Sequence, residues 1–136
     1  MVPPMTQPET IPSGFAEAIG IEWIDFDPEA AHARLKVEPR HLQPSGVVHG
    51  GVYSSLAESL ASGATYLAVR DKGEVAFGMA NNTSFLRPVS EGTVHAEARA
   101  FHRGRTSWLW DVEMRNDDGK LCATSRVTIA VRDPLA

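Results

Sequence analysis

The 136 residues include one cysteine, Cys122, so no internal disulfide can form and a disulfide-stapled design is excluded. Basic residues are also few. Thirteen Lys and Arg against seventeen Asp and Glu leave a net charge of −4, which offers no positive field for a nucleic-acid backbone. The first twenty residues lack both a basic n-region and an apolar h-region, so no secretory signal is expected and a cytoplasmic location follows. No apolar run is suited to crossing a membrane: the longest candidate, residues 49–69, carries five Ser and Thr hydroxyls, a glutamate and Gly63. The five histidines form no H-x-x-x-H pair or Cys/His cluster, so no metal is expected. Neither a G-x-S-x-G elbow nor a glycine-rich dinucleotide loop occurs, which removes two further classes of enzyme.

What is present reads as one domain. Met1 to Pro12 holds prolines at 3, 4, 8 and 12 and no apolar period, so residues 1–12 are expected to be a flexible leader and residues 13–136 the folded unit. Ser13 is suited to cap a short helix through Ala18, with Gly20 ending it. Ile21 to Phe26 and Ala31 to Val37 predict two antiparallel strands joined by the turn at Asp27-Pro28-Glu29. The residues from His49 to Val69 then carry a single formal charge, Glu58. Such a segment predicts a helix about 30 Å long that is covered over most of its circumference. Beyond Gly73 the pattern has period two, with turns at Arg87-Pro88 through Glu91-Gly92, at Arg103-Gly104 and at Asn116 to Gly119. Four more strands fit. The fold class is therefore α+β, a curled antiparallel sheet of about six strands wrapped around one long central helix.

This order resembles the hotdog fold, and the residues narrow the likeness. The run His41-Leu-Gln-Pro-Ser-Gly-Val-Val-His-Gly-Gly-Val-Tyr-Ser-Ser-Leu-Ala-Glu-Ser resembles the signature of the hotdog acyl-CoA thioesterases. Asn82-Thr-Ser-Phe-Leu-Arg-Pro-Val, Trp108-Leu-Trp-Asp-Val and Asp118-Gly-Lys-Leu-Cys-Ala continue it, over roughly Phe15 to Arg132. The pattern is most similar to the glutamate-type 4-hydroxybenzoyl-CoA thioesterase, with the phenylacetate-degradation type more remote. The resemblance implies hydrolysis of an aryl or arylacyl-CoA thioester, a role in aromatic degradation, and no cofactor, coenzyme A being part of the substrate. It also implies a homodimer with shared active sites, assembled into a tetramer.

Thioester hydrolysis needs a polarised carbonyl, an activated water or a nucleophile, and a shielded acyl group. The N–H groups of Gly50 and Gly51 stand at the positive end of the helix, where a thioester oxygen would be stabilised. Glu58 shares a helical face with Ser54 and Ser62, and either attacks the carbonyl or acts as a general base on water. The resemblance assigns Gln43 and His49 to positioning the thioester or leaving group, Gly50 to the oxyanion hydrogen bond and Ser62 to holding water. Tyr53 and Ser59 are expected to line the acyl pocket, with Trp23, Phe77 and Met79 as further candidates. Ser84, Arg87, Arg103, Arg105 and Thr106 are the candidates for coenzyme A contacts, the arginines because guanidinium groups suit phosphates. Cys122, in an apolar strand pattern, is expected in the core. A non-catalytic acyl-CoA or acyl-carrier binding module on the same fold is the alternative reading.

Overall fold

Apolar residues at alternate positions and one long helix with a single charge leave a single economical solution, a sheet closing over the helix. The computed structural model describes residues 14–27 and 29–134. A short helix α1 (Phe15–Ile19) leads into β1 (Ile21–Phe26) and β2 (Ala31–Lys36). A 3-10 turn (Pro39–His41) and a loop precede the long helix α2 (Gly50–Val69), after which come β3 (Val75–Phe85), β4 (Thr93–Arg103), β5 (Ser107–Arg115) and β6 (Leu121–Arg132). The six strands form one antiparallel sheet in the order β1-β2-β4-β5-β6-β3, and α2 crosses its inner face in contact with every strand. This is the hotdog arrangement, with β1 and β3 at the two edges.

The alternation expected for β4 and β5 is what builds the core. Val94, Ala96 and Ala98 of β4 and Trp110, Val112 and Met114 of β5 point inward with Leu35 of β2 and Val127 and Ile129 of β6. They pack on Leu56, Ala57, Leu60 and Ala61 of α2. Each large aliphatic side chain buried there contributes about 1.5–3 kcal/mol of hydrophobic stabilisation. Two polar groups in this core satisfy each other: Trp110 Nε1 donates to Thr65 Oγ1 at 2.8 Å, and Thr65 Oγ1 donates to the Ala61 carbonyl one turn earlier, also at 2.8 Å. Cys122 is fully buried, and burial pushes its thiol above the usual range, as suits a core residue.

Three expectations need correction. The N-cap of α1 is Gly14, which makes no side-chain cap; Ser13 lies outside the described residues, as do the whole 1–12 leader and Pro28 of the turn. The second strand ends at Lys36 rather than Val37, because the Val37 N–H turns to the Gly92 carbonyl at 2.8 Å. The covering of α2 is incomplete within one chain. Tyr53, Leu56, Leu60, Gly63 and Thr65 are buried, whereas Ser54, Ser59 and Ser62 are half-buried and Glu58 is exposed. Charge is scarce on α2 although the described residues leave one side of it open, the side next to β3.

Candidate functional site

The loop into α2 is held by a histidine. His41 is 2% exposed; its Nδ1 accepts the Glu38 N–H at 2.9 Å and its Nε2 lies 2.6 Å from the Ile19 carbonyl. A ring that accepts at Nδ1 donates at Nε2, so the side chain ties the end of α1 to the loop. The segment then doubles back, with Gln43 N–H on the Val47 carbonyl at 2.8 Å and His49 N–H on the His41 carbonyl at 2.8 Å. This brings Gln43, His49 and Gly50 together at the start of α2. The Gln43 amide donates to Ser45 Oγ at 2.8 Å, within the turn.

His49 is the N-cap, and its Nδ1 accepts the Gly51 N–H at 2.8 Å. That bond corrects one expectation, since the Gly51 N–H is spent on the cap and is not offered to an oxyanion. The Gly50 N–H belongs to the first turn and has no partner within the helix. Gly50 must lack a side chain for a second reason: a Cβ there would lie 2.8 Å from Cζ of Phe85.

Glu58 stands two turns further along, about 12 Å from Gly50 at 1.5 Å per residue. Its carboxylate leans on β3, where a Cβ on Gly78 would come within 2.8 Å of Oε2, and Asn81 Nδ2 is 3.5 Å from Oε1. Ser62 follows one turn after Glu58 on the same face, beside an open groove of about 540 Å³. Its walls include Phe15, Trp23, Ser59, Ser62, Tyr66 and Phe77, a mostly apolar lining with three hydroxyls, and its size is that of a small-molecule site. Ser59, Trp23 and Phe77 are thus where an acyl group could be held. Tyr53 and Met79 are not. Tyr53 is buried with its ring 6.1 Å from that of Phe85, and its hydroxyl has no partner; burial, with a smaller contribution from Cys122, pushes it up to about 12. Met79 is exposed on the β3 edge.

The candidates for coenzyme A fall at opposite ends of the sheet. Arg87 is exposed next to the β6 start, its N–H on the Cys122 carbonyl at 3.1 Å, and Ser84 is exposed nearby on β3. Arg103, Arg105 and Thr106 lie at the β4–β5 turn, which abuts the other end of β6 through the Ser107–Ala130 pair. The two ends are about 24 Å apart at 3.4 Å per strand residue, so one chain does not join them into one phosphate site. Around the turn is a groove of about 450 Å³ flanked by Lys72, Arg103, Arg105 and Trp108, with the Arg103 guanidinium 5.7 Å from the Trp108 ring centre. Thr106 uses its carbonyl to accept from Arg132 Nη1 at 2.6 Å.

Sequence reasoning missed Gly78 and Asn81, the two residues of β3 beside Glu58. A signal existed: glycine and asparagine are both poor strand formers, and together in an 11-residue strand they mark a site of special geometry.

Comparison with known proteins bears on what such a site does. Residues 45–123 match the family model described as the thioesterase superfamily. The chain is 37% identical over 115 residues to the proofreading thioesterase EntH of Cronobacter turicensis, covering 85% of this chain and 83% of that one. A crystal structure of a thioesterase from Haemophilus influenzae superposes with a TM-score of 0.87 at 34% identity, covering 94% of this chain and 89% of the other. A mutant thioesterase from Pseudomonas aeruginosa gives a TM-score of 0.84 at 39% identity, with 88% and 86% covered. No helix among the described residues is long and apolar enough to cross a membrane.

Proposed function

Since the chain belongs to the thioesterase superfamily and is a thioester hydrolase, we propose that it cleaves an aryl or arylacyl-CoA thioester, of the 4-hydroxybenzoyl-CoA kind, with Glu58 as the acting carboxylate. The observation that carries the reading is Glu58, the one charge on α2, next in the chain to Ser59 and one turn before Ser62, both of which line an apolar groove of about 540 Å³. An aromatic acyl group matches the Trp23, Tyr66 and Phe77 walls, since aromatic rings pair favourably in tilted or offset contacts.

The separation of Gly50 and Glu58 supports a site shared between two copies. One carbonyl cannot meet both groups when they are about 12 Å apart on one helix, so a complete site takes the two from different copies. Two chains paired through their β3 edges about a two-fold axis run their helices antiparallel, turning the Gly50 end of one toward the Glu58 stripe of the other. Gln43, His49 and Gly50 of one copy then serve Glu58 and Ser62 of its mate, and the same symmetry brings the Arg87 end of one sheet toward the Arg103–Thr106 end of the next. Pairs of such dimers form the tetramer.

In this site the Gly50 N–H, at the positive end of α2, stabilises the oxygen of the tetrahedral intermediate. As a general base, Glu58 takes a proton from the water at Ser62; the hydroxide adds to the carbonyl carbon, the C–S bond breaks, and the thiolate of coenzyme A is protonated. As a nucleophile, a Glu58 oxygen adds instead, expelling the thiolate and leaving a mixed anhydride that water opens. His49, whose Nδ1 accepts from Gly51, offers Nε2 as a donor toward the thioester or leaving group. The relative named as a proofreading thioesterase favours a second reading of the role, removal of acyl groups attached in error, with the same chemistry.

The test is steady-state hydrolysis of aryl-, arylacetyl- and straight-chain acyl-CoAs by wild type and Glu58→Ala, followed as released thiol. An aryl-CoA turned over well, with a loss of about a hundredfold or more in kcat for the variant, supports the reading. An aryl-CoA bound tightly but not cleaved, or full activity in Glu58→Ala, overturns it.

A further inference from the structure

Glu58 has an exposed carboxylate on a flexible stem, yet hydrolysis needs that carboxylate held in one direction. β3 provides the means. The pairing of β3 with β6 slips between Gly78 and Ala80, a bulge that bends the strand beside Glu58, and the missing Gly78 side chain makes room for the carboxylate against the backbone. Asn81 closes the other side. Its Nδ2 donates to the Ser54 carbonyl at 3.0 Å and faces Glu58 Oε1 at 3.5 Å.

The orientation of this amide is over-determined. The Ser54 carbonyl only accepts, so a flipped amide would set two acceptors against each other there and two more at Glu58. On its far side, Asn81 Oδ1 accepts from Thr83 Oγ1 at 2.8 Å, which spends the single Thr83 proton. Thr83 Oγ1 is 2.7 Å from Ser125 Oγ, so Ser125, 3% exposed, must be the donor in that pair. The chain therefore runs in one sense, from Ser125 through Thr83 and Asn81 to Glu58, from the buried centre of the sheet to its open edge.

We infer that Asn81 is the positioning residue for Glu58, its N–H held toward the carboxylate by the Ser54 carbonyl and by the Ser125–Thr83 relay behind it. The inference rests on the reading of Glu58 as the acting carboxylate. Glu58 is the only formally charged residue on either α2 or β3, so this amide is its principal polar neighbour from the strand packed against it. The donor limits the rotamers from which the carboxylate attacks or takes a proton.

Two measurements test this separately from the activity itself. The first follows the Glu58 carboxyl carbon by NMR titration in wild type, Asn81→Ala and Asn81→Asp. The nearly isosteric aspartate sets a second carboxylate against the first, and the Glu58 midpoint should rise by about one pH unit relative to wild type. The second is hydrolysis of an aryl-CoA. Asn81→Ala should lower kcat about tenfold with KM within about twofold, Thr83→Val about threefold, and Asn81→Asp should move the acid limb of the pH–rate profile upward. If Glu58→Gln abolishes activity but Asn81→Asp leaves both midpoint and kcat unchanged, the inference is overturned and the proposed function stands. If wild type cleaves no thioester, the functional reading fails, and the midpoint alone decides: a rise supports the Asn81 clamp and an unmoved midpoint overturns it.

Discussion

The two edges of the sheet are finished differently. β1 is six residues long, kinked by a register shift between Trp23 and Asp25, and its acids are tied to β2, its one neighbour: Glu22 to Arg34 at 2.8 Å, Asp25 to His32 at 2.7 Å. Short length, a bulge and charge are the devices by which natural sheets keep an edge from pairing. β3 is eleven residues long, has no charged residue, and exposes Phe77, Met79 and Phe85, with Leu86 just beyond. An edge so long and uncharged invites another strand. One edge is closed off by bulge and charge, while the other is open and uncharged, the edge along which the proposed second copy would pair; Glu58 leans on that open strand.

The largest expected effect comes from making β3 resemble β1. Ala80 is the midpoint of β3, so in a two-fold antiparallel pairing centred on the strand it meets its own copy. The double variant Ala80→Asp, Asn82→Asp then sets carboxylates against one another across the interface, and like charges directly opposite are destabilising. Sedimentation velocity should show monomers, and kcat/KM should fall by about a hundredfold or more because the Gly50 and Glu58 groups are separated. The mirror experiment is Ile24→Asp on β1, which should leave both assembly state and activity as they are. A dimer that survives the β3 charges would refute the pairing.

Next in size is a change on the finished side. Thr65 and Trp110 are 0% and 4% exposed, and Thr65→Val keeps the volume while stranding the indole N–H. An unsatisfied buried donor costs about 1–3 kcal/mol. The denaturant midpoint should drop accordingly with an unchanged slope, and the assembly state should not respond. A variant as stable as wild type would show that the indole finds another acceptor.

Much of this was legible in the sequence, for identifiable reasons. The six strands and the long helix follow from period-two alternation and from the uncharged run after His49, because both periodicities report faces buried within the chain. The period-two pattern beyond Gly73 reads correctly for the same reason, with Val94, Ala96 and Ala98 of β4 inside. The low charge on α2 was misleading as a sign of complete coverage: Ser54, Ser59 and Ser62 are tolerated on a face that the described residues leave partly open. The Gly51 N–H was misread because a histidine at the N-cap can use it through a ring nitrogen, a local choice that spacing does not reveal. Asn81 and Gly78 escaped because their partner, Glu58, is twenty or more residues away and is joined to them only by the folding of β3 over α2.

The smallest expected effect separates the two sides by pH. On the finished side, His32 lies between two carboxylates, Nδ1 2.7 Å from Asp25 Oδ1 and Nε2 2.9 Å from Glu97 Oε2, and only an imidazolium donates at both nitrogens. Burial pulls the His32 value down, but the hydrogen bonds and charges of Asp25 and Glu97 outweigh it and the net shift is upward. Glu97 is held below the usual carboxylate range, first by its bond from His32, and Arg99 at 3.0 Å adds to this. A histidine raised on folding stabilises fully below its unfolded value, near 6.5, and the contribution is lost as pH rises through the folded value. A carboxylate lowered on folding stabilises above its unfolded value, and that contribution is lost as pH falls through the folded one. The two shifts describe one interaction, so stability from this cluster is greatest between the Glu97 and His32 transitions and declines on the alkaline side of 6.5. The three side chains are about one-third exposed, which limits the effect to about 1 kcal/mol after screening. Urea midpoints measured from pH 6 to 9 should fall more for wild type than for His32→Gln, and 1 M salt should shrink the difference. Equal pH slopes in the two proteins would mean that the β1 edge is held by its backbone ladder alone.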